Sequence, residues 1–268
     1  MLNIFKYEFK MYQKSILLWM ISIVGLLFAM MAFYPSFGND SEILEKMLKN
    51  YPEELLKAFG MSGGIPLSSV LGYFVFTFVL VQLCLAIQAA NYGFSILSVE
   101  EREFTADYLM SKPVSRVRII NAKFLAALLA LTITNIVTWI GSFGCIEIFR
   151  EGKEYDATKL IILLATILLF QLVFLTVGMA ISVVLRRIRS VLTFSISLAF
   201  GTYILNSVRA IVGGETLGYL SPFYHFDPAY ILKNGNLDIS MVLISIVFII
   251  VSVSVTYVFY LKRDIYSL

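Results

Sequence analysis

Residues 160–185 read LIILLATILLFQLVFLTVGMAISVVL, with no Asp, Glu, Lys or Arg anywhere in the run. Lipid offers no partners to backbone N–H and C=O groups, so a chain crosses it as a helix of about 20 mostly apolar residues. This run is long enough. Five others meet the same criterion, which places the expected spans at 15–34, 70–97, 124–146, 160–185, 190–208 and 239–261. The second of these has length to spare, enough to tilt or to extend beyond the membrane. A transmembrane barrel would show alternating segments of about 10 residues instead, and none occur. The expected fold class is an all-α integral membrane protein with six transmembrane helices in one domain, 1–268.

Composition leads to the same class. The chain is 59% hydrophobic and 15% charged, with a mean hydropathy of +0.84. Soluble domains carry about 45–50% apolar and about 25% charged residues. A water-soluble globule this apolar would expose large apolar patches, which excludes a soluble enzyme, a secreted disulfide scaffold and a disordered chain. The net charge of +3 is too small to suggest nucleic acid as a partner. Cys84 and Cys145 both sit inside apolar runs, so neither a disulfide framework nor a metal cluster is expected.

Lys and Arg concentrate in cytoplasmic loops, and their distribution sets the direction of the spans. With the N-terminus inside, the inner segments hold 13 of the 21 basic residues, and the outer loops, 35–69, 209–238 and the one between the third and fourth spans, hold 12 of the 18 acidic ones. Both termini are therefore expected in the cytoplasm. The first run is expected to stay as a signal anchor, being too long for an h-region and followed by no small-x-small cleavage site.

Three segments between the spans have their own pattern. In 1–14, Leu2, Phe5, Phe9 and Tyr12 recur at helical steps with Lys6, Lys10 and Lys14 on another face. This predicts an interfacial helix with its lysines toward anionic lipid headgroups. In 35–69, Asp40 or Ser41 can cap a short helix, Pro52 can open a second, and Gly60 can end it. The inner loop 98–123 differs in kind. Phe104, Tyr108 and Leu109 share one face of a short helix otherwise covered by charge, and Pro113 should stop that helix at Lys112. Ser115 can then cap the next helix. The loop reads either as a short rod offering its aromatic face to a partner, with Arg116 and Arg118 nearby, or as an amphipathic linker on the membrane.

The run Glu100 to Lys123, centred on Glu-Arg-Glu-Phe-Thr-Ala-Asp-Tyr-Leu-Met-Ser-Lys-Pro-Val-Ser-Arg, resembles the cytoplasmic loop of permeases of the type-two ATP-binding-cassette (ABC) transporter family. A second stretch, Tyr219-Leu220-Ser221-Pro222-Phe223-Tyr224-His225-Phe226-Asp227-Pro228-Ala229, is similar to the segment these permeases carry before their last helix. In one departure, Phe104 stands where the family usually has glycine before the threonine. The resemblance implies a subunit that forms the transmembrane pathway of an ATP-driven exporter in a bacterial plasma membrane. It implies a second permease, a copy or a sister chain, and a separate cytoplasmic ATPase carrying the ATP and Mg. The loop would be the coupling helix, with Glu100, Glu101, Phe104, Thr105, Tyr108, Leu109, Pro113 and Arg116 at the ATPase contact. Residues 1–14 would be the connecting helix, and 213–238 would form short helices that partly re-enter the outer leaflet. The chain has no Gly-x-x-x-x-Gly-Lys-Ser/Thr phosphate loop, so it is expected not to be an enzyme and to hold no cofactor itself.

Two other readings compete. Gly60-Met61-Ser62-Gly63-Gly64 is a Gly-x-Ser-x-Gly match, and His225, the sole histidine, is placed on the same outer side as Ser62. Rhomboid-type intramembrane proteases also have six spans and pair a serine with a histidine, but on later helices inside a cavity. A gradient-driven carrier is the other rival. Such carriers usually need an ionisable group at a span centre, and no clear one is seen. Polar residues in the spans, Gln88, Asn91, Asn135 and Gln171 among them, either line a pathway or hold helices together by interhelical hydrogen bonds, each worth about 0.6–2 kcal/mol.

Overall fold

The computed structural model describes residues 2–39, 66–102, 115–185, 188 and 190–262. Among these, ten helices occur and no strand: α1 (Leu2–Met31), α2 (Tyr34–Asn39), α3 (Val70–Arg102), α4 (Arg116–Phe149), α5 (Ala157–Val184), α6 (Val191–Val212), α7 (Glu215–Gly218), α8 (Pro222–His225), α9 (Pro228–Asn234) and α10 (Ile239–Lys262). Six of them, α1, α3, α4, α5, α6 and α10, are long and apolar enough to cross a membrane.

Their ends follow from local chemistry. Asp156 caps α5 by accepting from the Thr158 and Lys159 N–H groups at 3.0 and 3.3 Å. Ser190 caps α6 through Thr193 N at 3.3 Å, and Asp238 caps α10 through Ser240 N at 3.0 Å. Helix α6 ends where Gly213 takes a left-handed conformation, φ 75°. Ser115 occupies the N-cap position of α4, as its place after Pro113 suggests, but its side chain makes no capping bond. Its backbone carbonyl accepts from Arg118 N and Ile119 N instead.

The two largest differences from the sequence reading lie at the starts of the first and third spans. Residues 2–14 do not form a helix of their own. They are the first part of α1, which runs unbroken to Met31 because nothing from 2 to 24 is proline or glycine. The third span starts eight residues earlier than its apolar run, at Arg116, because basic residues at a helix start do not stop backbone hydrogen bonding.

The spans do not pack in chain order. Helix α1 lies along α4, α3 along α5, α10 along α5, and α6 along α3. Within their most apolar windows α3 and α5 are 67% and 61% buried, whereas α6 and α10 are 17% buried. The α3–α5 seam is close because its residues are small. Ala86, Ala89, Ala90 and Gly93 lie on the α3 side, and a Cβ at Gly93 would stand 2.2 Å from the Leu175 carbonyl oxygen. Small residues let helix backbones approach where lipid supplies no hydrophobic drive for association. The short helices α7–α9 fold back onto the far end of this core. There Phe223 meets Phe170, Phe174 and Tyr203 edge-on, and Gln82 Nε2 donates to the Phe226 carbonyl at 2.9 Å.

Candidate functional site

The expected contact segment is bracketed by α3 and α4. Glu100 and Glu101 lie in the last turn of α3, and Arg116 opens α4. Phe104, Thr105, Tyr108, Leu109 and Pro113 lie outside the described residues, as does Ser62. Arg116 Nη1 lies 3.4 Å from the carbonyl oxygens of both Tyr260 and Leu261, the last turn of α10. A cation there offsets the negative end of the helix dipole. One turn further on, the Tyr257 hydroxyl bonds Asn121 Oδ1. The start of α4 is thus tied to the end of α10.

A second tie involves a residue the sequence reading gave no role. Lys123 is 2% exposed; its Nζ donates to the Ile96 carbonyl at 3.0 Å and stands 3.3 Å from Glu8 Oε1. Three helices, α1, α3 and α4, meet at one ammonium. A buried charge must be paired, and Glu8 is the one acid in the basic segment 1–14, so this pairing had a signal in the sequence.

Midway along the bundle the structure brings Gln88 and Gln171 together. Gln171 Nε2 donates to Gln88 Oε1 at 3.3 Å and approaches the Leu85 carbonyl at 3.4 Å. Gln88 Nε2 donates to Thr134 Oγ1 at 2.9 Å and reaches Tyr92 OH at 3.4 Å, while that hydroxyl donates to Ser15 Oγ at 3.2 Å. One chain of hydrogen bonds therefore joins α1, α3, α4 and α5. Asn91 and Asn135 stay out of it. Asn91 is half-buried, about 60° around α3 from Gln88, and neither amide atom of the buried Asn135 makes a hydrogen bond. Tyr92, Thr134 and Ser15 were missed as members. Only Tyr92 carried a signal, standing one turn after Gln88.

At the far end, His225 is fully engaged. Its Nε2 stands 3.1 Å from the Tyr219 carbonyl and its Nδ1 2.7 Å from Ser245 Oγ. A carbonyl only accepts, so Nε2 carries the proton and Nδ1 accepts from the serine hydroxyl. Burial lowers the pKa of the ring, and the neutral form fits these partners. Through these two bonds the ring ties the 219–225 segment to α10. Arg209, in the last turn of α6, is half-buried and stacks over the Tyr224 ring at 3.9 Å.

Six membrane-length helices, a buried polar seam and a charged segment slung between two spans define a polytopic membrane protein. The family model for the ABC-2 family transporter protein matches residues 2–265, and the chain belongs to that family. It is thus an ABC-2 permease, a membrane component of an ABC transporter and not itself catalytic. No curated protein matches it.

Proposed function

We propose that this chain is the permease subunit of an ATP-driven exporter, working with a separate cytoplasmic ATPase that carries the ATP and Mg. It pairs with a second permease, either a copy or a sister chain, in a bacterial plasma membrane, with its own termini in the cytoplasm. The basic residues at the 103–114 end of the bundle support that orientation. Export is the direction the family resemblance favours.

One observation carries the coupling role. In the chain, residues 103–114 connect α3, whose window is the most buried of the six spans, to α4, whose first turns are tied to α10 by Arg116 and to α1 by Lys123. A push on the segment therefore reaches four helices through short, directed contacts. In this reading Phe104, Tyr108 and Leu109 fill a cleft of the ATPase. Glu100, Glu101 and Thr105 flank them, and Pro113 ends the contact before Arg116 anchors it. Gln88 and Gln171 hold the bundle together and shift as the pathway opens.

The test is co-purification in mild detergent. The wild-type chain should bring down a cytoplasmic protein with a phosphate loop. Tyr108→Asp, which puts a charge on the apolar face, should lower its recovery about tenfold while the permease still inserts. Equal recovery with Tyr108→Asp would assign the contact elsewhere.

A further inference from the structure

Beyond the coupling role, we propose that Arg209 is a recognition site for the phosphate of an amphipathic anion, at the end of the bundle away from the last turn of α3 and the first turn of α4. The guanidinium is built in, not trailing. It lies over the Tyr224 ring at 3.9 Å, and its Nε donates to Asn206 Oδ1 at 3.3 Å. Gly218 completes the seat. A Cβ there would come within 2.5 Å of the Tyr224 ring and 2.9 Å of Arg209 Cδ, so only glycine leaves room for the stack. Helices α6, α7 and α8 thus each contribute one wall.

The site lacks an internal counter-ion among the described residues. Asp227 is the carboxylate that feels the Arg209 charge, yet it forms no ion pair with it and accepts from Ala229 N at 2.8 Å. The one hydrogen bond the guanidinium makes among the described residues is through Nε. Both Nη groups remain to present the planar fork that suits two oxygens of a phosphate or carboxylate. Stacking and the Asn206 bond fix the fork beforehand, so little rotamer freedom is lost on binding.

The surroundings favour a phosphate carried on a lipid-like molecule over a free ion. Val212, one turn on from Arg209 along α6, and Leu220, two residues past Gly218, are both exposed and offer acyl chains an apolar surface. A free phosphate gains nothing from such neighbours.

Lipid binding to the full chain in a neutral detergent, followed by native mass spectrometry, tests this. The probes are phosphatidylglycerol, phosphatidylcholine and inorganic phosphate. Titrations run in the wild type and in a Lys6→Gln, Lys10→Gln, Lys14→Gln background that removes the basic surface at the other end. Phosphatidylglycerol should bind more tightly than phosphatidylcholine, and inorganic phosphate should not displace it. Arg209→Gln should weaken the tightest phosphatidylglycerol site about tenfold in both backgrounds, the scale of one charge-assisted hydrogen bond. Arg209→Lys keeps the charge but loses the fork, and Gly218→Ala disturbs the seat without touching charge; both should also weaken it. These two carry the test should Arg209→Gln fail to fold. Unchanged binding in the folded variants overturns the site. Displacement by inorganic phosphate, or equal binding of phosphatidylcholine, overturns the amphipathic anion as its ligand.

Discussion

Lys123 shows how much one side chain can organise. Removing it leaves the Glu8 carboxylate inside the bundle without its ammonium and the Ile96 carbonyl without its donor. Breaking a buried pair by deleting one member costs about 3–5 kcal/mol, whereas replacing both with uncharged groups is often close to neutral. Lys123→Met should therefore lower the thermal midpoint in detergent markedly, and adding Glu8→Gln should restore most of the loss. If the double variant were no more stable than the single one, the pair would not be what holds α1 to α4. His225 makes a pH prediction. Its folded pKa lies below the ordinary 6.5 because burial disfavours the charged ring. The unfolded chain then binds a proton that the folded one refuses, so stability should fall as pH drops below about 6.5. Melting curves between about pH 7.5 and 5.5 should show this slope, and His225→Gln should flatten it.

Among the elements, the α3–α5 seam is the least tolerant. Gly93→Ala drives a methyl into the Leu175 carbonyl, a backbone atom that cannot turn aside, and should cost about 3 kcal/mol. Gly25→Ala on α1 meets nothing within 4 Å and should be neutral or slightly stabilising. Thermal unfolding of the two variants side by side checks both. Helix existence was legible in the sequence because a run without charge, such as 160–185, has only one way to satisfy its backbone in lipid. Helix ends were less so. Hydropathy stops where charge begins, but hydrogen bonding does not, and α4 and α1 both continue through lysines or arginines that the apolar pattern excludes.

At the scale of the molecule, two buried helices are flanked by four more exposed ones. The apolar faces of α4, α6 and α10 carry Ile140, Ile204 and Ile250 outward, while Phe78 on α3 and Leu164 on α5 are enclosed. Cysteines at these five positions, modified by a lipid-phase spin label, should react at the three isoleucines and not at Phe78 or Leu164. If the second permease packs on α6, Ile204→Cys should be protected while Ile140→Cys stays open. The number of spans, their all-helical nature and the charged segment between the second and third were all determined by the sequence, since each follows from local composition and the absence of water in lipid. Which spans touch was decided only by the tertiary structure. The first packs on the third and the second on the fourth, and the Gln88–Gln171, Lys123–Glu8 and Arg209–Tyr224 contacts exist because of it. All six helices are apolar around most of their circumference, so hydropathy alone gives no preferred neighbour. Steric closeness at Ala89, Ala90 and Gly93, with the partners available to each buried polar group, makes the choice.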